Sequence, residues 1–351
     1  MPLPNMMKAA VKTTQGSFEI KDVPTPEVTR PDYVLAKVRS AGVCGSDLRW
    51  WKIPRPQLVG RITGHELAGD VIEVGPDVLN VKRGDRVAIE SLVGCGVCYW
   101  CRVGQYHLCP DLGKLRSETL SRAFSEYVAG PAANFFKIPE KVSYEEAAIL
   151  DVYGTSIHAC NRTGIRMGQN VVVIGAGPIG LTMLELANVA GARTIVTGVY
   201  DYPLEVAEKL GAYATINTRS EDGVAKVLEL TSGMGADIAY ECVGGEAAGV
   251  TMKQAVSYVR RGGKVGIIGA LADGLDWPRI RGQEIDLISI SSFSYWGNDR
   301  EFKIVLDLLI DEKIDANSLI THRFPLERIN EAFETADNKR KTNAIKVVIV
   351  S

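Results

Sequence analysis

The chain has 351 residues, roughly twice the ~150 residues typical of one domain, so two domains are expected. Apolar residues make up 46% and charged residues 23%, which is typical of a globular protein that folds in water. The net charge is −2, whereas a protein that binds nucleic acid or an anionic membrane usually carries a basic excess. We therefore expect neither of these partners.

The first ~150 residues are predicted to be mostly β, because short apolar runs such as 33–40 and 68–74 are broken by Gly, Pro and Asp. From about residue 144 the pattern changes, beginning with a helical stretch over 144–163. Apolar runs then alternate with amphipathic segments, which predicts a parallel sheet covered by helices on both faces. The expected strands are 171–174, 194–197, 214–217, 238–241, 264–269 and 285–291. The C-terminal part of the chain is predicted to contain a helix over 300–311, an extended segment over 319–324 and a further helix that ends at about 337. A last strand over 344–350 is expected to return to the first domain.

Two features bear on location. Residues 1–8 lack the apolar core of a signal peptide, so a cytoplasmic protein is predicted. The apolar stretch 171–192 contains Glu185, Asn188 and several glycines, so it is not predicted to cross a membrane. In a cytosolic protein the seven cysteines should be thiols or metal ligands rather than disulfides.

The first motif is a glycine-rich turn between a predicted strand and an apolar helix. It reads Gly175-Ala176-Gly177-Pro178-Ile179-Gly180. In such a turn the first glycine permits the sharp bend, the second lets the backbone approach a pyrophosphate, and the third packs helix on strand. The motif predicts a bound dinucleotide, and the alternative is an ordinary strand-to-helix turn.

The residue that would bind the adenosine ribose is expected about twenty positions later. There the predicted strand 194–197 ends in Gly198, and the next acid is Asp201. No carboxylate is available at the strand end to bind a 2′-hydroxyl or to repel a 2′-phosphate. Arg193 and Arg219 could approach only if the fold brings them there. The sequence leaves NAD and NADP equally open.

The second motif is a run of four cysteines, Cys95, Cys98, Cys101 and Cys109. Four thiolates at such short spacing can surround one tetrahedral ion, which matches a structural zinc site. An iron–sulfur cluster or free thiols are the alternatives, although the ferredoxin spacing is tighter.

The third set of residues is dispersed and comprises Cys44, His65, Glu66 and Asp151. A thiolate, an imidazole and one or two carboxylates can form a zinc site with a position open for water or substrate. Each residue alone has an ordinary explanation, since Cys can be a small core residue, His a satisfied polar group and Asp a helix cap.

The order of these motifs resembles the zinc-dependent medium-chain alcohol/polyol dehydrogenase family, over essentially the whole chain. The polyol (sorbitol) and L-threonine 3-dehydrogenase branches are the most similar. The resemblance implies an α/β protein with a GroES-like β-rich catalytic domain and a doubly wound Rossmann domain, with the active site in the cleft between them. The implied boundaries are 1–155 with 293–351 for the catalytic domain, about 91–112 for its structural-zinc lobe, and 156–292 for the Rossmann domain.

The resemblance also implies roles for individual residues. Cys44, His65 and Asp151 match catalytic zinc ligands, and Glu66 matches a ligand that exchanges with water. Ser46 matches a hydroxyl that relays a proton from the substrate, and Asp47 should brace the ligands. The expected dinucleotide contacts are Gly175, Gly177, Pro178, Ile179, Gly180, Gly198, Tyr200, Asp201, Val243, Gly269 and Ser292.

Several positions depart from the family pattern. Arg49 stands where many relatives carry a relay histidine, and an arginine cannot shuttle protons, so it is expected to neutralise a cofactor phosphate. Ser294 stands between Phe293 and Tyr295 where the polyol branch often has an arginine. Glu90 is more similar to the polyol branch than to the threonine branch.

The substrate pocket is expected to include three aromatic residues. Trp50 and Trp51 either line it or belong to the core or an interface. Tyr295 is the third candidate.

The sequence thus predicts a zinc- and NAD(P)-dependent enzyme that moves a hydride between the cofactor and a secondary alcohol or ketone of a polyol, sugar or cyclitol. Two zinc ions per chain are expected, one catalytic and one structural. The resemblance also implies a homodimer or homotetramer. The alternatives are oxidation of an amino alcohol, as in threonine dehydrogenases, and a catalytically idle dinucleotide-binding protein.

Overall fold

The computed structural model describes residues 3–13, 16–53, 55–269 and 273–351. The chain divides into two compact units. The first unit comprises Met1–Asp151, Ser294–Asp311 and Ala316–Ser351. The second comprises Val152–Phe293 and Glu312–Asp315.

The N-terminal part of the first unit is built mainly from antiparallel strands. Its strands are β1 (Met6–Lys12), β2 (Phe18–Pro24), β3 (Tyr33–Gly42), β4 (Glu66–Val74), β5 (Arg86–Glu90), β6 (Tyr127–Pro131) and β7 (Phe135–Lys137). Its helices are α1 (Gly45–Lys52), α2 (Tyr99–Arg102), α3 (Leu112–Glu118) and α4 (Tyr144–Ala148). Strands β1 and β2 form a separate antiparallel pair. The β-rich character expected of this region is confirmed.

The second unit contains a six-stranded parallel sheet. Its strands are β8 (Asn170–Ile174), β9 (Arg193–Gly198), β10 (Ala214–Asn217), β11 (Ala236–Glu241), β12 (Val259–Ile267) and β13 (Asp286–Ser289). The helices of this region are α5 (Leu150–Thr163), α6 (Pro178–Val189), α7 (Asp201–Lys209), α8 (Gly223–Leu230), α9 (Ala248–Tyr258) and α10 (Trp277–Gly282). The strand order β10-β9-β8-β11-β12-β13 is that of the doubly wound dinucleotide-binding fold, as predicted.

The C-terminal part returns to the first unit. Its elements are β14 (Tyr295–Trp296), β15 (Asp299–Arg300), α11 (Glu301–Ile310), β16 (Ile320–Pro325), α12 (Ile329–Asp337), α13 (Lys339–Thr342) and β17 (Lys346–Val350). Strand β17 pairs antiparallel with β3 and parallel with β16, so the last strand closes the first unit's main sheet, as expected. That sheet has the order β16-β17-β3-β4-β5-β7, with β6 also paired to β3.

Each unit has its own hydrophobic core. In the second unit, the residues of β8 from Val171 to Ile174 are buried, which explains their uninterrupted apolar sequence, since a parallel sheet is covered on both faces. In the first unit, Phe18, Phe124 and Phe333 pack with the sheet in one cluster. No helix in the described part of the chain is long and apolar enough to span a bilayer.

The helical stretch expected over 144–163 is present as two consecutive helices. Helix α4 ends at Ala148, and α5 begins at Leu150. Ser143 caps α4, because its hydroxyl accepts a hydrogen bond from the Glu146 amide while the Glu146 carboxylate accepts one from the Ser143 amide. The break places Asp151 in the first turn of α5.

A buried carboxylate in the second unit makes stability depend on pH. Burial raises the pKa of Glu185 to about 7, although the Asp315 amide and the Tyr153 hydroxyl donate hydrogen bonds that favour the charged form. The folded state therefore holds this proton between pH ~4.5 and ~7, where the unfolded state has lost it. Stability should fall as the pH rises through this window, by about 3 kcal/mol from this group. We expect Glu185→Gln to remove this decrease, as measured by urea unfolding at pH 5 and pH 8, whereas equal pH profiles would contradict it.

Candidate active site

Cys44 lies at the junction between β3 and α1 in the first unit. Strand β3 ends at Gly42, and Cys44 is the extended residue that precedes the first turn of α1. The amide of Cys44 donates a hydrogen bond to Asp47 Oδ2 at 3.1 Å. The short helix therefore fixes the cysteine and an acidic side chain beside each other.

His65 and Glu66 lie where the neighbouring strand β4 begins. Gly64 has a φ of +90°, which favours glycine, and a β-carbon there would lie 3.0 Å from the Phe124 ring. Glu66 pairs with Gly42 across β3 and β4, and a β-carbon at Gly42 would lie 1.9 Å from Glu66 Oε2. Gly42 therefore provides the space that the buried Glu66 side chain occupies.

The structure brings Cys44, His65 and Glu66 together. One sulfur, one nitrogen and one oxygen atom from these residues lie within 4.8 Å of one another. This donor set fits zinc, which accepts thiolate, imidazole and carboxylate ligands in one site. We call these three residues the catalytic metal group.

The electrostatics of the catalytic metal group favour a cation. Burial lowers the pKa of His65, but the charges of Asp47 and Cys44 outweigh burial and raise the pKa well above its usual value. Asp47 Oδ1 lies 3.5 Å from His65 Nδ1, which leaves Nε2 as the nitrogen available to a metal. Asp47 therefore lies beside His65, and its role in bracing the ligands remains a prediction.

Asp151 is not part of the group of three whose ligand atoms converge. Its charge acts instead on Glu90, whose pKa is raised by burial and by Asp151, while Arg300 and Tyr106 lower it. Both carboxylates therefore belong to a polar region of the first unit. The role of Asp151 as a zinc ligand remains a prediction.

Lys346 is a buried partner of the catalytic metal group that no sequence pattern predicted. Its Nζ donates to Glu66 Oε1 at 2.7 Å and to the carbonyl of Val43 at 3.0 Å. The Lys346 and Glu66 side chains are 2% and 0% exposed. A lysine within the apolar last strand was the available signal, but its partner is distant in sequence.

Replacing this lysine should destabilise the protein strongly. In Lys346→Met, Glu66 would remain a buried charge without its counter-ion, which costs about 3–5 kcal/mol. Lys303→Met removes an exposed ion pair with Asp307 and should cost less than about 1 kcal/mol. Chemical denaturation of both variants measures the difference, and equal losses would refute the assigned role of Lys346.

The other predicted active-site residues have different surroundings. The ring of Trp50 lies 6.4 Å from the His65 ring, beside the catalytic metal group. Trp51 packs on Phe333 and the hydrophobic core, which favours a core role. Ser46 is half-buried in the first turn of α1, and Arg49 is exposed on the same helix.

The four cysteines of the second motif also converge. The sulfur atoms of Cys95, Cys98, Cys101 and Cys109 lie within 4.8 Å of one another. Backbone amides donate hydrogen bonds to the sulfur atoms. The amide of Cys98, for example, donates to Cys95 Sγ at 3.3 Å. Four thiolates with such hydrogen bonds fit a structural zinc ion. We call these residues the four-cysteine group.

The glycine-rich turn of the second unit joins β8 to α6. Gly175 has a φ of +99°, and a β-carbon there would lie 2.5 Å from Val243. A β-carbon at Gly180 would lie 1.7 Å from the carbonyl oxygen of Gly175. Gly177 immediately precedes α6, where Pro178 and Ile179 follow, and a β-carbon at Gly177 would meet no atom within 4 Å. The turn therefore has the backbone approach and the helix N-terminus that a pyrophosphate requires.

Further predicted cofactor residues lie at the carboxyl ends of neighbouring strands. The Glu241 carboxylate accepts hydrogen bonds from the amides of Val243 and Gly244, which shapes the turn after β11. A β-carbon at Gly269 would lie 2.4 Å from the Gly244 nitrogen. Ser292, after β13, has a φ of +57°. Ligands of this fold bind at this edge of the sheet, where the strand order reverses between β8 and β11.

The ribose end of this site lies where β9 and β10 finish. Gly198 is the last residue of β9, and its carbonyl accepts a hydrogen bond from the Thr218 amide at 2.9 Å. The Arg219 guanidinium lies 4.8 Å from the centre of the Tyr200 ring. The Asp201 carboxylate accepts a hydrogen bond from Asn217 Nδ2 at 2.6 Å. The fold thus places both an arginine and the Asp201 carboxylate near the end of this strand.

Comparison with known families gives two matches along the chain. Residues 30–140 match the model of the alcohol dehydrogenase GroES-like domain, and residues 178–311 match that of the zinc-binding dehydrogenases.

Relatives that match over most of the chain include sorbitol, L-idonate and L-threonine dehydrogenases. The chain is 35% identical to the sorbitol dehydrogenase of Bacillus subtilis, over 99% of this chain and 98% of the relative. It is 35% identical to the L-idonate 5-dehydrogenase of Vitis vinifera, over 91% and 88%. It is 34% identical to the L-threonine 3-dehydrogenase of Burkholderia lata, over 93% and 95%.

Solved structures match over nearly the whole chain. An Escherichia coli oxidoreductase/dehydrogenase of unknown specificity has a TM-score of 0.90 and 31% identity, covering 98% of this chain and 99% of that chain. A dehydrogenase from Escherichia coli CFT073 complexed with NADH has a TM-score of 0.86 at 27% identity, covering 99% and 100%. A zinc-binding dehydrogenase from Sinorhizobium meliloti 1021 bound to NADP has a TM-score of 0.86 at 28% identity, covering 99% and 100%.

Proposed function

Because the chain belongs to the zinc-dependent alcohol dehydrogenase family and is an NAD(P)-dependent alcohol/polyol dehydrogenase, we propose that it oxidises a secondary hydroxyl of a polyol, sugar or cyclitol. The reverse reaction is reduction of the corresponding ketone. The proposal treats residues 1–155 with 293–351 as the catalytic domain and 156–292 as the dinucleotide-binding domain. The convergence of Cys44, His65 and Glu66 in one buried group carries it.

Each residue of the catalytic metal group and its surroundings has a proposed role. Cys44 and His65 would hold the catalytic zinc, with Glu66 and Asp151 as the exchanging or additional carboxylate ligands. When bound, zinc lowers the pKa of the substrate hydroxyl, and the nicotinamide accepts a hydride from the carbon atom that carries this hydroxyl. Asp47 holds the His65 ring in place.

Proton transfer is assigned to Ser46. Its hydroxyl follows Cys44 by two residues on α1 and can accept the substrate proton while donating its own outward. Arg49, one turn further on, stays protonated and cannot continue the relay. The proton therefore leaves through water or the cofactor ribose, and Arg49 is assigned to a cofactor phosphate.

We further propose NADP(H) as the preferred cofactor. A 2′-phosphate needs a cation and no opposing carboxylate at the end of the second strand. Arg219, stacked on Tyr200 beside Gly198, supplies the cation. The nearby Asp201 carboxylate accepts a hydrogen bond from Asn217 at the end of β10, so Arg219 is required to offset it.

Gly198→Asp should reverse this preference. A β-carbon at Gly198 approaches only the flexible tip of Leu204, at 3.1 Å, so an aspartate can be accommodated. The carboxylate would repel a 2′-phosphate, and the NADP/NAD ratio of kcat/KM should fall by about tenfold or more. An unchanged NADP/NAD ratio of kcat/KM would show that the adenosine ribose binds elsewhere.

Calorimetric titration of NADP⁺ tests the arginine directly. Arg219→Ala should weaken NADP⁺ binding by about tenfold and leave NAD⁺ binding nearly unchanged. Arg193 is the matched control, because it stacks on Tyr213, 4.0 Å from the ring centre, at the opposite end of β9. If Arg193→Ala weakened NADP⁺ binding equally, the loss of affinity would reflect the change in net charge rather than a contact with the 2′-phosphate. The NADP assignment would then be wrong.

A substrate screen tests the proposed function. Rates are measured in both directions with NAD(H) and NADP(H) over polyols, inositols, simple secondary alcohols and amino alcohols. We expect the highest kcat/KM among polyols, sugars or cyclitols, which agrees with the sorbitol and L-idonate dehydrogenase relatives. A clear preference for threonine or another amino alcohol would overturn the substrate class and favour the alternative suggested by the threonine dehydrogenase relatives.

Assembly and location complete the proposal. We propose a cytoplasmic homodimer or homotetramer. The thiolates of the two metal groups need a reducing compartment to stay available for zinc. Strand β13 lies at the edge of the parallel sheet, where no other strand of the described residues pairs with its outer side, and a second copy can pair there. Light scattering gives the oligomeric state, and a monomer at micromolar concentration would refute it.

A further inference from the structure

The side chain of Glu90 is completely buried and is held from two sides. The Tyr106 hydroxyl donates a hydrogen bond to Glu90 Oε1 at 2.6 Å. The Arg300 guanidinium donates one to Glu90 Oε2 at 3.1 Å. Hydrogen bonds to a buried charge are strong, so these two contacts fix the position of the carboxylate.

Tyr106 belongs to the loop that carries the four-cysteine group. It lies between Cys101 and Cys109 and is 6% exposed. A β-carbon at Gly94 would lie 3.0 Å from the Tyr106 β-carbon and 2.8 Å from Cys101 Sγ. Tyrosine, glycine and thiol are therefore packed without free space. The Cys109 amide also donates to the carbonyl of Tyr106 at 3.0 Å, so a displacement of the cysteines should shift Tyr106 as well.

Arg300 rests on the same loop. Its guanidinium carbon lies 5.1 Å from the Tyr106 ring centre and 5.6 Å from that of Tyr295. The Tyr295 amide donates to the carbonyl of Gly104, inside the four-cysteine loop, at 3.1 Å. Both side chains that hold Glu90 thus depend on this loop.

Glu90 also adjoins the catalytic metal group. It is the last residue of β5 and pairs directly with Glu66, the first residue of β4. Directly opposite residues of antiparallel strands place their side chains on the same face of the sheet, with β-carbons about 5 Å apart. A change in the position of Glu90 should therefore shift the start of β4, where Glu66 lies.

We propose that Tyr106 is a positioning residue through which the four-cysteine group supports metal retention in the catalytic metal group. The loop fixes Tyr106, Tyr106 and Arg300 fix Glu90, and Glu90 fixes the end of β4 that carries Glu66. The inference rests on the proposed function, since it assumes that both groups hold metal. It gives the four-cysteine group a role in the active site besides local stability.

Loss of the Tyr106 hydroxyl is the direct perturbation. Tyr106→Phe leaves Glu90 Oε1 as a buried acceptor without a donor, which the carboxylate can relieve only by moving. Tyr99→Phe is the matched control, because Tyr99 lies in the same loop but is 68% exposed. Both variants remove one hydroxyl from one tyrosine of the loop.

The measurement is the release of Co²⁺ from the catalytic metal group to a chelator. Protein with zinc in the four-cysteine group and Co²⁺ in the catalytic metal group is followed by its cobalt–thiolate absorption. Tyr106→Phe should release Co²⁺ about tenfold faster than wild type, as is typical when a partner of a metal ligand is lost. Tyr99→Phe should release it at the wild-type rate. A wild-type rate in Tyr106→Phe, or equal acceleration in both variants, overturns the proposal.

A double-mutant cycle tests the route through Glu90. In a Glu90→Gln background the charged acceptor is gone, so adding Tyr106→Phe should change the release rate by less than about twofold. If the effects of Tyr106→Phe and Glu90→Gln on the release rate were additive, Tyr106 would not act through Glu90, and the proposal would be wrong.

Arg300→Gln loosens Glu90 from the other side and should also accelerate release, even if Tyr106→Phe fails to fold. If Arg300→Gln released Co²⁺ at the wild-type rate, the proposal would be wrong. Wild-type protein that binds no Co²⁺ outside the four cysteines would instead refute the proposed function itself.

Discussion

Cys44→Ser is expected to reduce kcat/KM by about three orders of magnitude or more while the fold remains intact. In the proposed function Cys44 supplies the sulfur ligand of the catalytic metal group, and a serine hydroxyl is a poor zinc ligand at neutral pH. A metal that polarises the reacting oxygen contributes several kcal/mol to the transition state, and each 1.36 kcal/mol corresponds to a factor of ten in rate. Steady-state kinetics and circular dichroism of the same preparation measure both properties.

Cys160→Ala provides the control for Cys44→Ser. Cys160 is a buried thiol of the second unit, where its sulfur contacts that of Met183 at 3.7 Å. This variant should keep turnover within a few-fold of wild type, because Cys160 lies outside both metal groups. If Cys44→Ser behaved like Cys160→Ala, the metal assignment would be refuted.

Cys98→Ser is expected to lower stability rather than to remove a reacting group. The loop around Cys98 exposes most of its large apolar side chains, including Val97, Tyr99 and Val103, so it has little core of its own. Without a fourth thiolate the loop loses the ion that organises it. The Tm should fall by roughly 5–10 °C, since each kcal/mol corresponds to about 2–4 °C in a unit of this size.

Val97→Ser is the matched control for the loop. It introduces a serine one position earlier, at a side chain that is 78% exposed and is not a ligand. Differential scanning calorimetry should give a wild-type Tm for Val97→Ser and a decreased one for Cys98→Ser. A wild-type Tm for Cys98→Ser would show that the loop does not need its ion.

Much of the second unit could be predicted from its sequence, because the physical signal is local. Each strand of a parallel sheet is buried on both faces and forms an apolar run, as in Val171–Ile174. Glycines mark the turns between the runs. The break at Ile149 and the two-residue strands β14 and β15 were not predicted, because neither changes the apolar pattern over a window long enough to detect.

The active site could be predicted only in part. Cys44, His65 and Glu66 were found from their types, their order and the family resemblance, and the structure brings them together. Lys346 and Arg300 were not found, because their carboxylate partners are 280 and 210 positions away. A sequence pattern contains no information on such pairs until the sheet register is known.

Anomalous diffraction at the zinc absorption edge tests the central claim most directly. The account predicts two zinc peaks per chain, one among Cys95, Cys98, Cys101 and Cys109 and one bound by Cys44 and His65. The second peak should disappear in Cys44→Ser while the first remains. An active wild-type enzyme with a single peak at the four cysteines would contradict the account.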